Sequence, residues 1–160
     1  MSLVLKVDST DVLAEVLSTL GIQGRVFCCS ELSAPWSMAL PASGLAHFHV
    51  LEQGNAWIQL EGESAAVPLA SGALIMLPHG GGHVLCDSLG TPPVLIDHLL
   101  AQSQVGDPRL HHGGGGVETR LICGSFHFAH AAESPLLPLL PSLMHIRSDG
   151  GQAEEWVVSL

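Results

Sequence analysis

The sequence is poor in charge, and above all in basic residues. Only 12% of its 160 residues are charged, and the formal net charge is −10. Its five basic residues are scattered along the chain: Lys6, Arg25, Arg109, Arg120 and Arg147. A nucleic-acid surface needs clustered Lys and Arg to neutralise phosphates. We therefore expect that this segment does not bind DNA or RNA by itself.

Signals for membrane insertion and export are also lacking. No apolar run reaches the ~18 residues that span a bilayer, and no basic region followed by an apolar stretch opens the chain. The four cysteines, Cys28, Cys29, Cys86 and Cys123, form no CxxC pair and no evident disulfide framework. These features predict a cytoplasmic protein without membrane contact, whose cysteines stay reduced.

The chain is rich in hydrophobic residues and in histidine. Hydrophobic residues make up 47% of it, which excludes a disordered chain and suits one domain with a sizeable core. Such a composition predicts that a partner, such as a second copy, covers some apolar surface. The ten histidines outnumber the five basic residues. They point to metal, proton or polar-ligand chemistry, among which composition does not choose.

A helical spacing of apolar residues occurs only near the two ends. Residues 12–20 predict an N-terminal helix that stops at Gly21. Residues 133–143 predict a short or broken helix, because prolines interrupt it. Residues 152–160 predict the start of a further apolar helix.

Between these ends the pattern is that of short β-strands. Val, Ile, Leu and aromatic residues fill short segments that Gly, Pro, Ser or Asn separate. The predicted strands are residues 25–32, 44–53, 55–61, 73–78, 83–86, 93–100 and 119–128. Residues 102–117, with His111, His112 and four consecutive glycines, predict a mobile surface loop or lid. Many short strands at this spacing favour a sandwich or barrel over a parallel α/β fold.

The segment from Gly72 to His83 carries the most specific pattern. It reads GALIMLPHGGGH and fits G-x5-P-x-G-x2-H. This describes a strand, a turn preset by Pro78 in which Gly80 permits φ > 0, and a return strand whose first residue faces the interior. It resembles the second sequence motif of the cupin superfamily, with Asp87 where asparagine is usual. The resemblance implies a mostly β fold: one cupin-like β-barrel (a double-stranded β-helix or jelly roll), flanked here by an N-terminal helix and C-terminal helices.

The first cupin motif is far more degraded. Its glycine would be Gly54, and its carboxylate ligand position falls on His47. Its histidine pair falls on the Pro-Ala-Ser of residues 41–43, where only Ser43 offers a weak ligand. The standard cupin metal site is therefore absent as written, which argues against a cupin dioxygenase or isomerase. No Ser-His-Asp arrangement is evident either, so no catalytic residue is assigned.

Other segments resemble, in the same order, the cupin-like ligand-binding domain of AraC-type transcription regulators. They are residues 33–36 (SAPW), 46–50 (AHFHV), 77–80 (LPHG), 113–116 (GGGG) and 121–126 (LICGSF). The resemblance implies the sensory half of a homodimeric regulator, which reaches DNA only through a C-terminal pair of helix-turn-helix motifs. Residues 1–150 would then be the effector-binding domain and residues 151–160 the start of a linker or dimerisation helix. The DNA-binding domain would lie beyond Leu160.

Histidines on neighbouring strands are the candidate metal ligands. His47 and His49 share a strand face, because they are two residues apart. If the side chains point inward, a Zn²⁺ site could form from His49, His79, His83 and Cys123. The alternative is that they are hydrogen-bonded core histidines and a small buried cysteine, with His79 exposed in the turn.

The candidate effector contacts are two tryptophans and three histidines: Trp36, His47, His49, Trp57 and His83. Trp36 could form an aromatic wall of the pocket or pack at the barrel rim. Trp57 shares a strand face with Gln59, and Ile58 shares the other with Leu60. Only one of these faces is directed inward, and the sequence does not say which.

Three functions remain open. The leading hypothesis is a non-enzymatic sensor, in which a small molecule or metal in the barrel acts through the C-terminal helices on a DNA-binding domain. The alternative is a metal-dependent cupin enzyme for a small substrate, with His47, His49 and His83 as three of the ligands. The third is a dimerisation module with a dry barrel.

Overall fold

The computed structural model describes residues 22–103, 106, 109–128, 137–149 and 152–159. In this part of the chain the strands are β1 (Ile22–Ser33), β2 (Ser37–Leu40), β3 (Ala46–Gln53), β4 (Asn55–Leu60), β5 (Ala66–Ala70), β6 (Leu74–Leu77), β7 (His83–Cys86), β8 (Val94–Leu95), β9 (Arg109–Gly113), β10 (Glu118–Phe128), β11 (Leu143–Asp149) and β12 (Gln152–Ser159). A six-residue helix, α1 (Ile96–Ala101), and a 3-10 turn (Leu137–Leu139) complete it. The predicted helix over residues 12–20 lies outside the described residues.

The strands form two sheets. The larger has the order β12-β11-β6-β3-β10-β1-β9, and the smaller has the order β5-β4-β7-β2-β8. The mostly β fold is confirmed, but the predicted closed barrel is wrong, because among the described residues no strand pair links the two sheets. Chain neighbours β3 and β4, and likewise β6 and β7, lie in different sheets. These connections cross between layers instead of closing hairpins.

Strand alternation divides the side chains between an inner core and the outer face of the larger sheet. The inner core joins residues of both sheets, among them Leu51 and Leu121 from one and Ile58 and Leu85 from the other. Each such buried aliphatic side chain contributes about 1.5–3 kcal/mol. A second, smaller cluster around Phe48 and Phe126 lies on the opposite face of the larger sheet. His47 and His49 flank Phe48 in β3 and therefore face the inner core.

The turn of the motif segment has the predicted geometry. Gly80 has φ = 64°, which only glycine adopts without strain. A Cβ there would lie against the backbone carbonyl oxygens of Ser43 and Leu45, and the Ser43 N–H donates to the Gly80 carbonyl over 2.9 Å. The turn ends at His83, the first residue of β7, and that side chain is buried.

The predicted C-terminal helices are wrong. Within residues 133–143 the described part contains only the 3-10 turn and the start of β11. Residues 152–159, predicted as helix, form β12, which pairs antiparallel with β11. Pro138 and Pro141 restrict helix propagation, and the Trp-Val-Val sequence of β12 favours a strand. In the described part of the chain, no helix is long and apolar enough to cross a membrane.

Two further assignments need correction. The strand predicted over residues 93–100 is confined to β8, because α1 begins at Ile96; Asp97 lies in its first turn and leucines continue it. The predicted loop over residues 102–117 contains β9, which pairs in parallel with β1. Strands β2 and β5 were not predicted. β5 carries Pro68 and lies at a sheet edge, where a proline is tolerated.

The glycine run is hydrogen-bonded to the neighbouring loop at residues 33–34. The N–H groups of Gly114, Gly115 and Gly116 donate to the Ser33 carbonyl (3.0 Å), the Ser33 hydroxyl oxygen (2.9 Å) and the Ala34 carbonyl (2.8 Å). A Cβ on Gly114 or Gly116 would meet residues 34 and 35. These amides are therefore already used, which leaves none of the three for a phosphate.

Candidate functional site

Three strands bring His49, His83 and Cys123 together between the sheets. His49 on β3 lies directly opposite Cys123 on β10 in the larger sheet. His83 reaches them from β7 of the smaller sheet. Their exposed fractions are 1%, 2% and 0%. The convergence that the sequence predicted for these three residues is present.

The three side chains form one line of hydrogen bonds, which we call the histidine chain. Cys123 Sγ lies 3.0 Å from His49 Nδ1, and His49 Nε2 lies 2.7 Å from His83 Nε2. His83 Nδ1 lies 2.9 Å from the carbonyl oxygen of Gly81. The histidine chain thus runs from a thiol of one sheet to a backbone carbonyl at the motif turn.

The direction of these hydrogen bonds follows from the Gly81 carbonyl, which can only accept. His83 therefore carries its proton on Nδ1. Burial lowers the pKa of His83 from 6.5 to about 4, so its Nε2 is an unprotonated acceptor at neutral pH and His49 Nε2–H donates to it. Burial, with His83 and His47 nearby, holds the pKa of His49 well below 6.5. His49 Nδ1 then accepts from the Cys123 thiol, whose pKa burial raises well above 9.0.

His47 lies beside the histidine chain but is not bonded to it. Its ring centroid is 5.8 Å from that of His83, and its edge packs against Phe27 at 6.3 Å. His47 Nε2 lies 2.8 Å from the Ser43 hydroxyl oxygen, while its buried Nδ1 has no hydrogen-bond partner in the part of the chain that the structure describes. Burial lowers the pKa of His47 as well. Ser43, considered above only as a weak ligand, thus orients this ring.

The geometry separates the four predicted metal ligands. Cys123 contacts Nδ1 of His49 and His83 contacts Nε2, so the thiol and His83 lie on opposite sides of the His49 ring. One metal ion at Nε2 could not also reach the thiol. His79 is exposed in the turn and donates from Nε2 to the Leu140 carbonyl over 2.7 Å. In the described ranges no group of three or more His, Cys, Asp or Glu is arranged to hold a metal ion.

The two tryptophans differ in position. Trp36 belongs to the inner core and is 1% exposed, and its buried Nε1 has no hydrogen-bond partner among the described side chains. Trp57 is half-buried and alternates with the buried Ala56 and Ile58. Ile58 belongs to the inner core, so the Trp57 side chain is directed to the opposite face of the smaller sheet. Trp36 therefore faces the interior between the sheets, and Trp57 does not.

Sequence reasoning missed His145. It lies on β11 opposite Ile75, which in turn lies opposite His49, so the two histidines share the inner face two strands apart. His145 is 2% exposed, and both of its ring nitrogens are buried without a hydrogen-bond partner among the residues that the structure describes. Burial, with Arg147 nearby, lowers its pKa. The alternation of residues 143–147 was the available signal, but the helix predicted over residues 133–143 ended at the start of this strand, and no strand was predicted there.

This combination defines a class. It is a small domain of two β-sheets. A strand of one sheet begins, after a proline-glycine turn, with a buried histidine that contacts a histidine of the other sheet. The chain belongs to the cupin family, whose family model, described as Cupin, matches residues 11–160.

Two curated relatives are proteins from Streptomyces antibioticus and Streptomyces lividans, both assigned as AraC-like transcription regulators. Each is 25% identical over 151 residues, which is 93% of this chain and 49% of the relative. The chain thus spans about half the length of the curated relatives it matches. The resemblance to the cupin domain of AraC-type regulators is confirmed.

Proposed function

We propose that this chain is the effector-sensing domain of an AraC-type transcription regulator, without enzymatic activity of its own. The effector would bind between the two sheets, at the histidine chain and the polar side chains around it. DNA contact would belong to a part of the regulator outside these 160 residues. The names of the relatives and their twofold greater length support this division of labour.

The observation that carries the interior site is a set of buried polar atoms without partners. His47 Nδ1, Trp36 Nε1 and both ring nitrogens of His145 are buried and make no hydrogen bond within the described part of the chain. Each buried polar group left unsatisfied costs about 1–3 kcal/mol, and protein interiors rarely retain such groups without a purpose. A polar effector that bonded them would recover this free energy and so bind the domain selectively.

Regulation requires that the effector favour one conformation over another. His145 gives a route for this, because β11 is the strand that precedes β12. An effector held by His49 and His145 would join the centre of the larger sheet to its last hairpin. Residues 151–160, proposed as the link to the next domain, directly follow β11.

The test is ligand screening of the purified chain by thermal shift, followed by NMR of the histidine ring resonances. A true effector raises Tm and shifts the ring resonances of His47, His49 and His145. His145→Phe, which removes both ring nitrogens, should reduce the increase in Tm. His98→Phe on the exposed face of α1 should not. If every stabilising compound acts equally on both variants, the interior site is refuted.

A metal ion is the second candidate, favoured by the way the two rings are held. Both Nδ1 atoms of His49 and His83 are engaged, by Cys123 and by the Gly81 carbonyl, and both Nε2 atoms point to one spot. Metal-ligating histidines are usually fixed through the other ring nitrogen in this way. Two nitrogens on one tetrahedral Zn²⁺ at about 2.0–2.1 Å would be roughly 3.3 Å apart. The 2.7 Å pair would have to open by about 0.6 Å.

His49 and His83 therefore fit as two ligands, with Cys123 and Gly81 behind them. A Lewis-acidic ion there would bind an anionic or carbonyl group of an effector. Metal analysis of the purified chain by mass spectrometry, with Zn²⁺ titration of His83→Asn and the matched His98→Asn, tests this. One equivalent of zinc that only His83→Asn loses supports the metal, and retention by His83→Asn refutes it.

A further inference from the structure

A cleft outside the histidine chain is lined by three charged residues and two histidines. It has a volume of about 410 Å³ and lies along β1, β9 and β10. Its lining includes Glu31, Glu118 and Arg120, together with His111 and His112. In a chain with 12% charged residues and five basic ones, such a concentration in one concavity indicates recognition of a polar molecule.

One carboxylate of the cleft is already neutralised. Glu31 Oε1 accepts from Arg109 Nη1 in an ion pair, and its Oε2 lies 3.5 Å from His111 Nδ1. Arg109 and Glu31 come from β9 and β1, so this pair fixes one wall of the cleft. It leaves little charge on Glu31 for a ligand.

Arg120 and Glu118 are placed differently. Arg120 lies directly opposite Glu31 in the register of β1 and β10. Both carboxylate oxygens of Glu31, however, contact side chains of β9. Arg120 and Glu118 are both exposed. Across the described residues neither side chain makes a hydrogen bond or an ion pair, not even with the other. The cleft therefore presents one unpaired guanidinium and one unpaired carboxylate.

These two charges lie on the same side of one strand. They are two residues apart on β10, so their Cα atoms are about 6.8 Å apart and their side chains share a face. The opposite wall contains Gly113 and Gly115, which have no side chains to fill the space. A molecule with both charges can enter between the two groups.

We propose that this cleft binds a small zwitterion of the α-amino acid type, whose carboxylate Arg120 holds and whose ammonium group Glu118 holds. A simple anion would be repelled by Glu118 and a simple cation by Arg120. The zwitterion matches both charges, with hydrogen bonds of about 2.8 Å at each end. The cleft shares no residue with the histidine chain. The proposal for the cleft can therefore be tested independently of the proposed interior effector site.

The experiment is a ¹H–¹⁵N NMR titration of the chain with L-alanine, L-leucine and L-glutamine as probes. Propionate and ethylamine serve as single-charge controls. We expect saturable shifts at Ser33, Gly113, Gly115 and Thr119 with at least one amino acid, and much weaker ones with either control. Arg120→Gln and Glu118→Gln should each weaken binding by about tenfold or more, because each removes one charge-assisted contact.

Matched variants exclude a general charge effect. Arg25→Gln and Glu52→Gln change exposed residues outside the cleft and should leave the affinity unchanged. The NMR spectrum of each variant reports whether it is folded. Equal binding of propionate would show an anion site instead and overturn the proposal. Unaltered binding by Arg120→Gln, or the absence of saturable shifts with all three amino acids, would overturn it as well.

Discussion

His49 Nε2 and His83 Nε2 lie 2.7 Å apart, so a ring of the larger sheet donates directly to a ring of the smaller one. In this arrangement both rings are neutral, because His83 Nε2 must be unprotonated to accept from His49 and His49 Nδ1 must be unprotonated to accept from the Cys123 thiol. The contact therefore ties the packing of the two sheets to the protonation of buried histidines.

Stability should depend on pH through the histidine chain. The pKa of His83 falls from 6.5 to about 4 on folding, and that of His49 falls well below 6.5. Between these values the unfolded chain binds protons that the folded chain does not, so the free energy of unfolding decreases as pH falls from about 6.5 to 4. At about 1.4 kcal/mol per pKa unit, His83 alone accounts for about 3 kcal/mol. Urea unfolding at several pH values measures this slope.

An exposed histidine serves as the control for that slope. His98→Asn changes an exposed histidine of α1 and should keep the slope. A free energy of unfolding that stays constant between pH 6.5 and pH 4.5 would contradict neutral histidines in the core.

Removing the Cys123 thiol should destabilise the domain through His49. Cys123→Ala leaves the buried His49 Nδ1 without its donor, which we expect to cost about 1–3 kcal/mol. Cys123→Ser keeps an O–H donor at this position and should cost less. Chemical denaturation compares them with Cys29→Ser, an exposed thiol whose change should fall within about 0.5 kcal/mol. If alanine and serine cost the same, the thiol is not a hydrogen-bond donor to His49.

The motif turn should tolerate substitution at one glycine and not at its neighbour. Gly80→Ala forces a left-handed backbone on alanine and drives its Cβ against two carbonyl oxygens. We expect a loss of about 2 kcal/mol or more. A Cβ on Gly81 has no atom within 4 Å, so Gly81→Ala is the matched control. Equal thermal stability of the two variants would show that the turn does not need Gly80.

Replacing His145 by an apolar residue should stabilise the ligand-free domain. Both ring nitrogens of His145 are buried without partners in the described ranges, so His145→Leu removes their desolvation cost while filling a similar volume. We expect a gain of about 1 kcal/mol or more, whereas His98→Leu on the surface should give none. Differential scanning calorimetry measures the gain. A lower Tm for His145→Leu would mean that the ring nitrogens are satisfied in solution.

The strand pattern was the part of the fold that local sequence could predict. The strand from His83 to Cys86 was predicted with its observed bounds, and Gly80 with its positive φ. Alternation also placed His47 and His49 on one face. The prediction failed where local and tertiary preferences conflict. Residues 152–159 have apolar spacing that suits a helix, yet β11 offers them a ladder of hydrogen bonds.

The sequence predicted only some of the residues of the candidate site. The sequence pointed to His49, His83 and Cys123, but it grouped His79 with them, although that ring is bonded to Leu140 at the surface. It also missed His145. Which ring nitrogen faces which neighbour depends on the distance between two sheets, and no spacing along the chain encodes that distance.

The sequence alone determined a mostly β domain of the cupin family, with a turn that needs glycine and inward histidines on two strands. These features follow from local sterics and from the two-residue period of strands. Both depend only on residues that are close together in the sequence. Only the tertiary structure decided that the sheets stay unclosed, and that His49 bonds His83 through Nε2 and Cys123 through Nδ1. It also decided that Arg120 and Glu118 share a cleft without pairing. Those relations join residues far apart in the chain, and packing between the strands sets their distances.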